Sequence, residues 1–175
     1  WMPNEIHEIG VQVLREYSDA VRDLVSQIDA LDPELDMEGR PEIGPAIYLL
    51  RGAEVNYRYK WPRGQLEVTP YSRDYDYQRD ADFLDQRATG VRGDLAYLVD
   101  SRTTLRGAIG AERREFDRVG REDDNLYAGV SVERRFSRQW AMRAGLTRYQ
   151  RDSSATGSDY EENVVSVALV YFGGK

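Results

Sequence analysis

The sequence predicts a mainly β protein: an antiparallel up-and-down transmembrane β-barrel, or part of one, behind an N-terminal α-helix. Three observations carry that expectation. From Ile47 onward, hydropathy alternates with a period of two. One face stays apolar strand after strand, while the other carries both signs of charge. Short turns on one side also alternate with longer acidic loops on the other. Apolar outside and charged inside is the pattern of a sheet wrapped around water and facing lipid.

Residues 1–31 read as an amphipathic helix. Ile6, Ile9, Val13, Tyr17, Val21, Leu24, Ile28 and Leu31 recur at steps of three and four. Asn4 suits an N-cap, and Asp32-Pro33 ends the run. The polar face, with Glu5, Glu8, Arg15, Asp19, Arg22 and Asp23, is more acidic than basic. That favours packing on protein over lying on an anionic membrane surface. Residues 32–46 hold Pro33, Pro41 and Pro45 and read as an extended linker.

Residues 47–175 read as barrel hairpin repeats. The first strand spans about 47–61, with Ala53, Val55, Tyr57, Tyr59 and Trp61 opposite Glu54, Asn56, Arg58 and Lys60. Pro62-Arg63 makes a tight turn. The second strand, to Tyr77, sets Leu66 and Val68 against Glu67, Thr69, Tyr71 and Arg73. The third, about 87–99, sets Val91, Gly93, Leu95, Tyr97 and Val99 against Arg92 and Asp94. The fourth sets Leu105, Gly107, Ile109 and Ala111 against Arg106, Glu112 and Arg114. A loop over 117–124 then leads to Leu126, Ala128, Val130 and Val132, opposite Tyr127, Ser131, Glu133 and Arg135. The sixth strand sets Trp140, Met142, Ala144 and Leu146 against Arg143, Thr147 and Tyr149. After a loop over 151–162, Asn163–Phe172 is apolar on both faces. Arg63, Arg102 and Arg138 each follow this rhythm at a spacing of about 37 residues, one hairpin plus its loop. A β-propeller would need four strands per repeat.

The count of seven is odd, whereas single-chain bacterial barrels have even numbers. An eighth strand could come from residues 40–50, from the rest of a larger barrel, or from further chains sharing one barrel. The chain opens on Trp1-Met2 without a signal peptide, so the reading expects a processed chain or a piece of a longer precursor.

Composition narrows the function. A net charge of -7 argues against nucleic acid as a partner. Without cysteine there is neither a disulfide framework nor a thiolate metal site. Mean hydropathy is -0.67, but half of every barrel strand faces water, so this value does not exclude a membrane. His7 is the single histidine and lies outside the β region, so no Ser-His-Asp set can be built there. The acidic loops lack the ligand spacing of an EF-hand, and no phosphate-binding glycine motif is present. A non-enzymatic protein without cofactor or metal is expected.

The residues expected to line a lumen are Arg58, Arg73, Arg92, Asp94, Arg106, Glu112, Arg114, Glu133, Arg135 and Arg143. In a narrow barrel they would pair across the interior and fill it. In a wider one they would line a wet path whose arginines select anions or acidic sugars. Opposite charges on neighbouring strands also stabilise a sheet by themselves. Tyr57, Tyr59, Trp61, Tyr97, Trp140 and Tyr171 sit near strand ends on the apolar face, as at a membrane interface.

The stretch REDDNLYAGVSVERRFSRQW, then TRYQRDSSATGSDYEENVVSVALVYF, closes the chain from Arg121 to Phe172. Its Arg-Asp-Ser, variable loop and Asp-Tyr-x-x-Asn before a last alternating strand resemble outer-membrane β-barrel porins associated with exopolysaccharide or capsule operons. NYRYKW and RGQLEVTPYSRDYDY look like earlier hairpins of the same family. The resemblance covers roughly residues 52–172. It implies the outer membrane of a Gram-negative bacterium and outer-membrane lipid as a partner. It further implies polysaccharide or other export-system proteins as partners, and members longer than this chain. Such proteins end on a Phe that serves as an insertion signal; here Gly173-Gly174-Lys175 follow Phe172. The rival expectation is a soluble or surface β-sheet module that binds polysaccharide or self-assembles through its edges.

Overall fold

The computed structural model describes residues 6–19, 47–78 and 84–172. They form one antiparallel sheet of eight strands in strict sequence order. The strands are β1 (Ile6–Asp19), β2 (Ile47–Trp61), β3 (Gly64–Tyr77), β4 (Gln86–Asp100), β5 (Thr103–Phe116), β6 (Arg121–Arg135), β7 (Trp140–Ser153) and β8 (Tyr160–Tyr171). All have 12–15 residues, enough to cross a bilayer at a tilt. Every strand packs on its sequence neighbours.

The N-terminal helix is overturned over the residues described. Ile6–Asp19 is a strand paired with β2 along its length, from Ile6 beside Lys60 to Asp19 beside Ile47. Its apolar spacing fits two periods at once. Ile9, Val13 and Tyr17 suit a helix, but Ile9, Val11, Val13 and Tyr17 also share one face of a strand. Val11 decides between them, since a helix would put it on the polar side. The β-branched side chains and Gly10 also favour extended backbone, and the open edge of β2 supplies the partners. The expected strand count of seven therefore becomes eight. Residues 20–31 of the expected helix and the linker 32–46 lie outside the described residues.

The asymmetry of connections holds, with shorter loops than expected. At one end the turns are Pro62-Arg63, Ser101-Arg102 and Phe136–Gln139. Side chains close two of them. Asp100 accepts from the Arg102 amide at 2.7 Å and the Thr103 hydroxyl at 3.0 Å. Ser137 Oγ accepts from the amides of Gln139 and Trp140 at 3.2 and 3.1 Å. At the other end the connections cover 78–85, 117–120 and 154–159. Residues 121–124, expected in a loop, begin β6, and 151–153 and 160–162 extend β7 and β8. Gly120 lets the chain turn so tightly because its φ is 62°.

Register fixes the faces, because directly paired residues share a side. The outer side carries Val11, Val55, Val68, Leu95, Ile109, Val130, Leu146 and Val167 across the eight strands. All but the half-buried Val68 are exposed; Val130, for example, is 50% accessible. At the turn end the same side bears Tyr57, Tyr59, Trp61, Tyr97, Trp140 and Tyr171. His7 stacks on Tyr59, Tyr59 on Trp61, and Trp140 packs on Tyr171. At the loop end that side turns ionic, with Arg51–Asp76, Arg87–Asp74, Arg113–Asp124 and Arg148–Glu161 paired at 2.7–3.4 Å. The outer surface is thus an apolar band between an aromatic girdle and a charged belt. The buried residues sit mainly on the inner side, where Ala88, Thr69 and Asp123 are 0–1% accessible.

Val130→Arg places a charge in the middle of the apolar band. It should cost about 2–4 kcal/mol of folding stability in lipid vesicles. Denaturant titration of the vesicle-inserted protein measures it, and Ser131→Arg, next along the strand and on the inner side, should cost clearly less.

Candidate functional site

The inner side is a charged wall. The alternation that sends Val55 and Val130 outward sends Asn56, Arg58, Ser131 and Glu133 inward. All ten residues expected to line a lumen have this orientation: Arg58, Arg73, Arg92, Asp94, Arg106, Glu112, Arg114, Glu133, Arg135 and Arg143. The structure arranges most of them in groups.

Toward the turn end of β1–β3, Glu8 accepts from Arg58 at 3.2 Å and from Lys60 at 2.9 Å. Arg58 also donates to Glu67 at 2.8 Å. Asn56 bonds Glu67 and donates to Thr69 at 3.0 Å. Glu8 comes from the segment expected to be helical, so the sequence reading missed it. Toward the loops, Arg73 reaches Glu54 at 3.3 Å and lies over the Tyr71 ring at 4.8 Å. Near the turns, Glu133 gathers three guanidinium groups: Arg143 at 2.7 Å, Arg106 at 3.5 Å and Arg135 at 3.7 Å. Arg135 also covers the Phe172 ring. Arg92 and Asp94 lie two apart on β4, beside Thr69 and Glu67 of β3.

Toward the loops of β3–β7 lies the most buried group, largely missed from sequence. Arg114 donates twice to Glu112, at 3.0 and 2.7 Å, and Tyr71 donates to the other oxygen of Glu112 at 2.9 Å. Arg121 grips Asp123 through two bonds of 2.8 and 2.7 Å, and Ser153 donates to Asp123 at 2.5 Å. Arg151 donates to Asn125 at 2.9 Å and lies over Tyr160. Arg121, Asp123 and Arg151 were expected in loops, which hid the alternation that faces them inward. Extending the two-residue period back from Tyr127 through Asn125 to Asp123 would have found them.

Glycine makes one of these contacts possible. Tyr71 is on β3 and Glu112 on β5, with Gly90 of β4 between them in register. A Cβ on Gly90 would sit 2.7 Å from the Tyr71 ring and 2.7 Å from the Ala111 carbonyl oxygen. The bare backbone lets Tyr71 lie flat across β4 and reach Glu112. Gly110 does the same for Tyr127, whose ring occupies the space a Cβ would take.

These ion pairs join adjacent strands, or residues two apart on one strand, so these side chains lie along the wall. Among the described residues, no group of three or more His, Cys, Asp or Glu side chains is arranged to hold a metal ion.

Comparison with known proteins agrees with this architecture. The model of the family described as "Putative beta-barrel porin 2" matches residues 87–171, from β4 through β8. Among solved structures, in-vitro folded OmpT, an outer membrane protein of Vibrio cholerae, is similar with a TM-score of 0.62 at 16% identity. The match covers 98% of this chain and 53% of OmpT, so the chain spans about half the length of that protein. At that identity the likeness speaks for the fold. No curated protein matches the chain by sequence. The resemblance to outer-membrane β-barrel porins read from the last hairpins is borne out. Neither match bears on exopolysaccharide or capsule.

Gly90→Ala should force Tyr71 off β4 and break its bond to Glu112. The expected loss is about 1–3 kcal/mol, read by denaturant unfolding, with Gly120→Ala in the open loop as a comparison of backbone strain without crowding.

Proposed function

We propose that this chain forms part of the wall of a non-enzymatic, porin-like channel in the outer membrane. The observation that carries this reading is the course of the inner ion pairs. They give the inner side a lining of charges paired between neighbouring strands, behind an outer side that is apolar in its middle and aromatic at the turn end. The outer side supports the lipid setting. Val55, Ile109, Val130 and Leu146 are 41–58% accessible and are not shielded by the chain's own core.

In lipid every backbone donor and acceptor needs a partner, so a channel wall has to close. β1 and β8 pair on one side only among the described residues. Closure falls to further antiparallel strands, whether of the same protein or of other barrel chains. With Arg58, Arg73, Arg92, Arg106, Arg114, Arg135 and Arg143 on its inner side, the wall favours anionic, hydroxyl-rich solutes such as acidic sugars. Passage of an exported polysaccharide is the most specialised form of that reading, and export-system proteins would then be its partners.

Conductance in a planar bilayer tests the channel. The double variant Arg106→Glu/Arg143→Glu should shift the reversal potential in a salt gradient toward cations, with insertion checked by gel mobility of the unheated protein. Absence of any conductance from correctly inserted protein would sink the channel and leave a structural role for the sheet.

A further inference from the structure

The loop-end group on the inner side encloses a recess lined by Tyr77, Leu84, Gln86, Arg114, Phe116, Arg121, Asp123 and Arg151. Its floor is built rather than incidental. Gln86 is 7% accessible, and its amide nitrogen is committed to the Tyr77 hydroxyl at 3.3 Å. Its amide oxygen is buried with no hydrogen-bond partner. Buried acceptors without a partner are uncommon and costly, so this one asks for a donor. Asn125 is a second case. Its oxygen accepts from Arg151, while its amide nitrogen is buried without an acceptor.

Charge adds a third requirement. Arg114 is matched by Glu112 and Arg121 by Asp123, both at 2.7 Å. Arg151 donates to the neutral Asn125 amide, lies over the Tyr160 ring and feels the charge of Asp123, which Arg121 already grips. The recess therefore carries one positive charge more than its ion pairs neutralise. A guanidinium binds carboxylate with two parallel hydrogen bonds and strong directional preference. Gln86 and Arg151 line the recess itself, and a group that answers both has an anionic oxygen for Arg151 and a nearby hydroxyl that can donate to Gln86.

We propose that this recess is a binding site for a sugar acid, a carboxylate flanked by hydroxyl groups, at the loop-side mouth of the lumen. The inference deepens the channel reading and rests on it, because the recess opens on the inner side. The space is about 310 Å³ including its open mouth, but the enclosed part has room for little more than one water-sized group. One hydroxyl is thus admitted to buried Gln86, while the carboxylate meets the partly exposed Arg151 at the opening and the rest of the solute lies in the open lumen. Such a site gathers acidic sugars at the mouth and releases them inward past the remaining arginines.

Binding of D-galacturonate to the detergent-solubilised protein, measured by calorimetry beside neutral D-galactose and beside acetate, tests the site. Galacturonate should bind saturably and more tightly than either comparison compound. Arg151→Gln should weaken it about tenfold or more. Gln86→Leu should reduce the preference for galacturonate over acetate while leaving acetate binding unchanged. Circular dichroism and gel mobility confirm that each variant is folded. Tri-galacturonate in a parallel arm separates the sources: tighter binding than the monomer assigns the end of a polymer, and equal binding assigns a free sugar acid. No saturable binding by the folded wild-type protein, equal binding of galactose and galacturonate, or indifference to Arg151→Gln overturns the proposal. Conductance measured on the same preparations separates this failure from that of the channel. Current without galacturonate binding removes the site alone, and binding without current removes the channel alone.

Discussion

The constraint on which the structure depends is the need of every peptide group in lipid for a hydrogen-bond partner. Water satisfies an exposed amide in a soluble protein, but hydrocarbon offers nothing. An antiparallel ladder meets the need, and seven consecutive pairings supply one here, with a gap between β2 and β3 at Pro70, which has no amide hydrogen to donate. This explains why strands of 12–15 residues run nearly without irregularity. The register shift near Leu98 and Asp100 falls at the turn end, beyond the apolar band. It also explains why Ile6–Asp19 extends along β2. An unpaired β2 edge would be costly in the membrane, and a segment with β-branched alternation is available to cover it.

Pairing alone does not decide which side meets lipid. The two-residue period does, and it acts on both surfaces at once. Val130 faces outward because Ser131 faces inward, so a slip of one residue would send Glu133 and Arg143 into hydrocarbon. The inner ion pairs therefore lock register as well as placing charge. Glu133 holds Arg106 of β5 and Arg143 of β7 at once, tying three strands at a single height. Tyr71 ties β3 to β5 across Gly90 in the same way. Each such tie is modest where water reaches it, but a sheet assembled from hairpins gains specificity from having them at several levels.

Much of this was legible in the sequence, since alternation is a local signal and the side of every strand from Ala53 to Leu146 follows from it. Two things were hidden, both because period two can be masked. In β1, Ile6, Ile9, Val13 and Tyr17 also fit a helical stripe, and Val11 together with the pairing to β2 distinguishes the two. In 121–124 and 151–153, clustered charge resembled solvated loop. Both faces are polar there, because the strands continue past the apolar band: Arg121 and Asp123 point inward while Glu122 and Asp124 point outward. The outer-side ion pairs and the inner recess occupy this polar extension, where apolar periodicity carries no information. The orphan oxygen of Gln86 depends on three-dimensional neighbours and leaves no trace in the sequence.

The distribution of burial along the sheet argues for what the inner charges do. β8 is accessible on both faces for most of its length, and much of β1 is too, whereas Thr69, Arg114, Asp123 and Glu133 on β3, β5 and β6 are buried. These residues are covered by neighbours on their own wall. Arg114 is covered by Glu112, Asp123 by Arg121 and Ser153, and Glu133 by Arg106 and Arg143. Charges paired within the wall lie flat along it, so that each cation is held by an anion of its own or the next strand. Long polar side chains laid along strands, with glycines beneath them at Gly90 and Gly110, thin the lining further. A wall built this way holds its own charge in fixed positions.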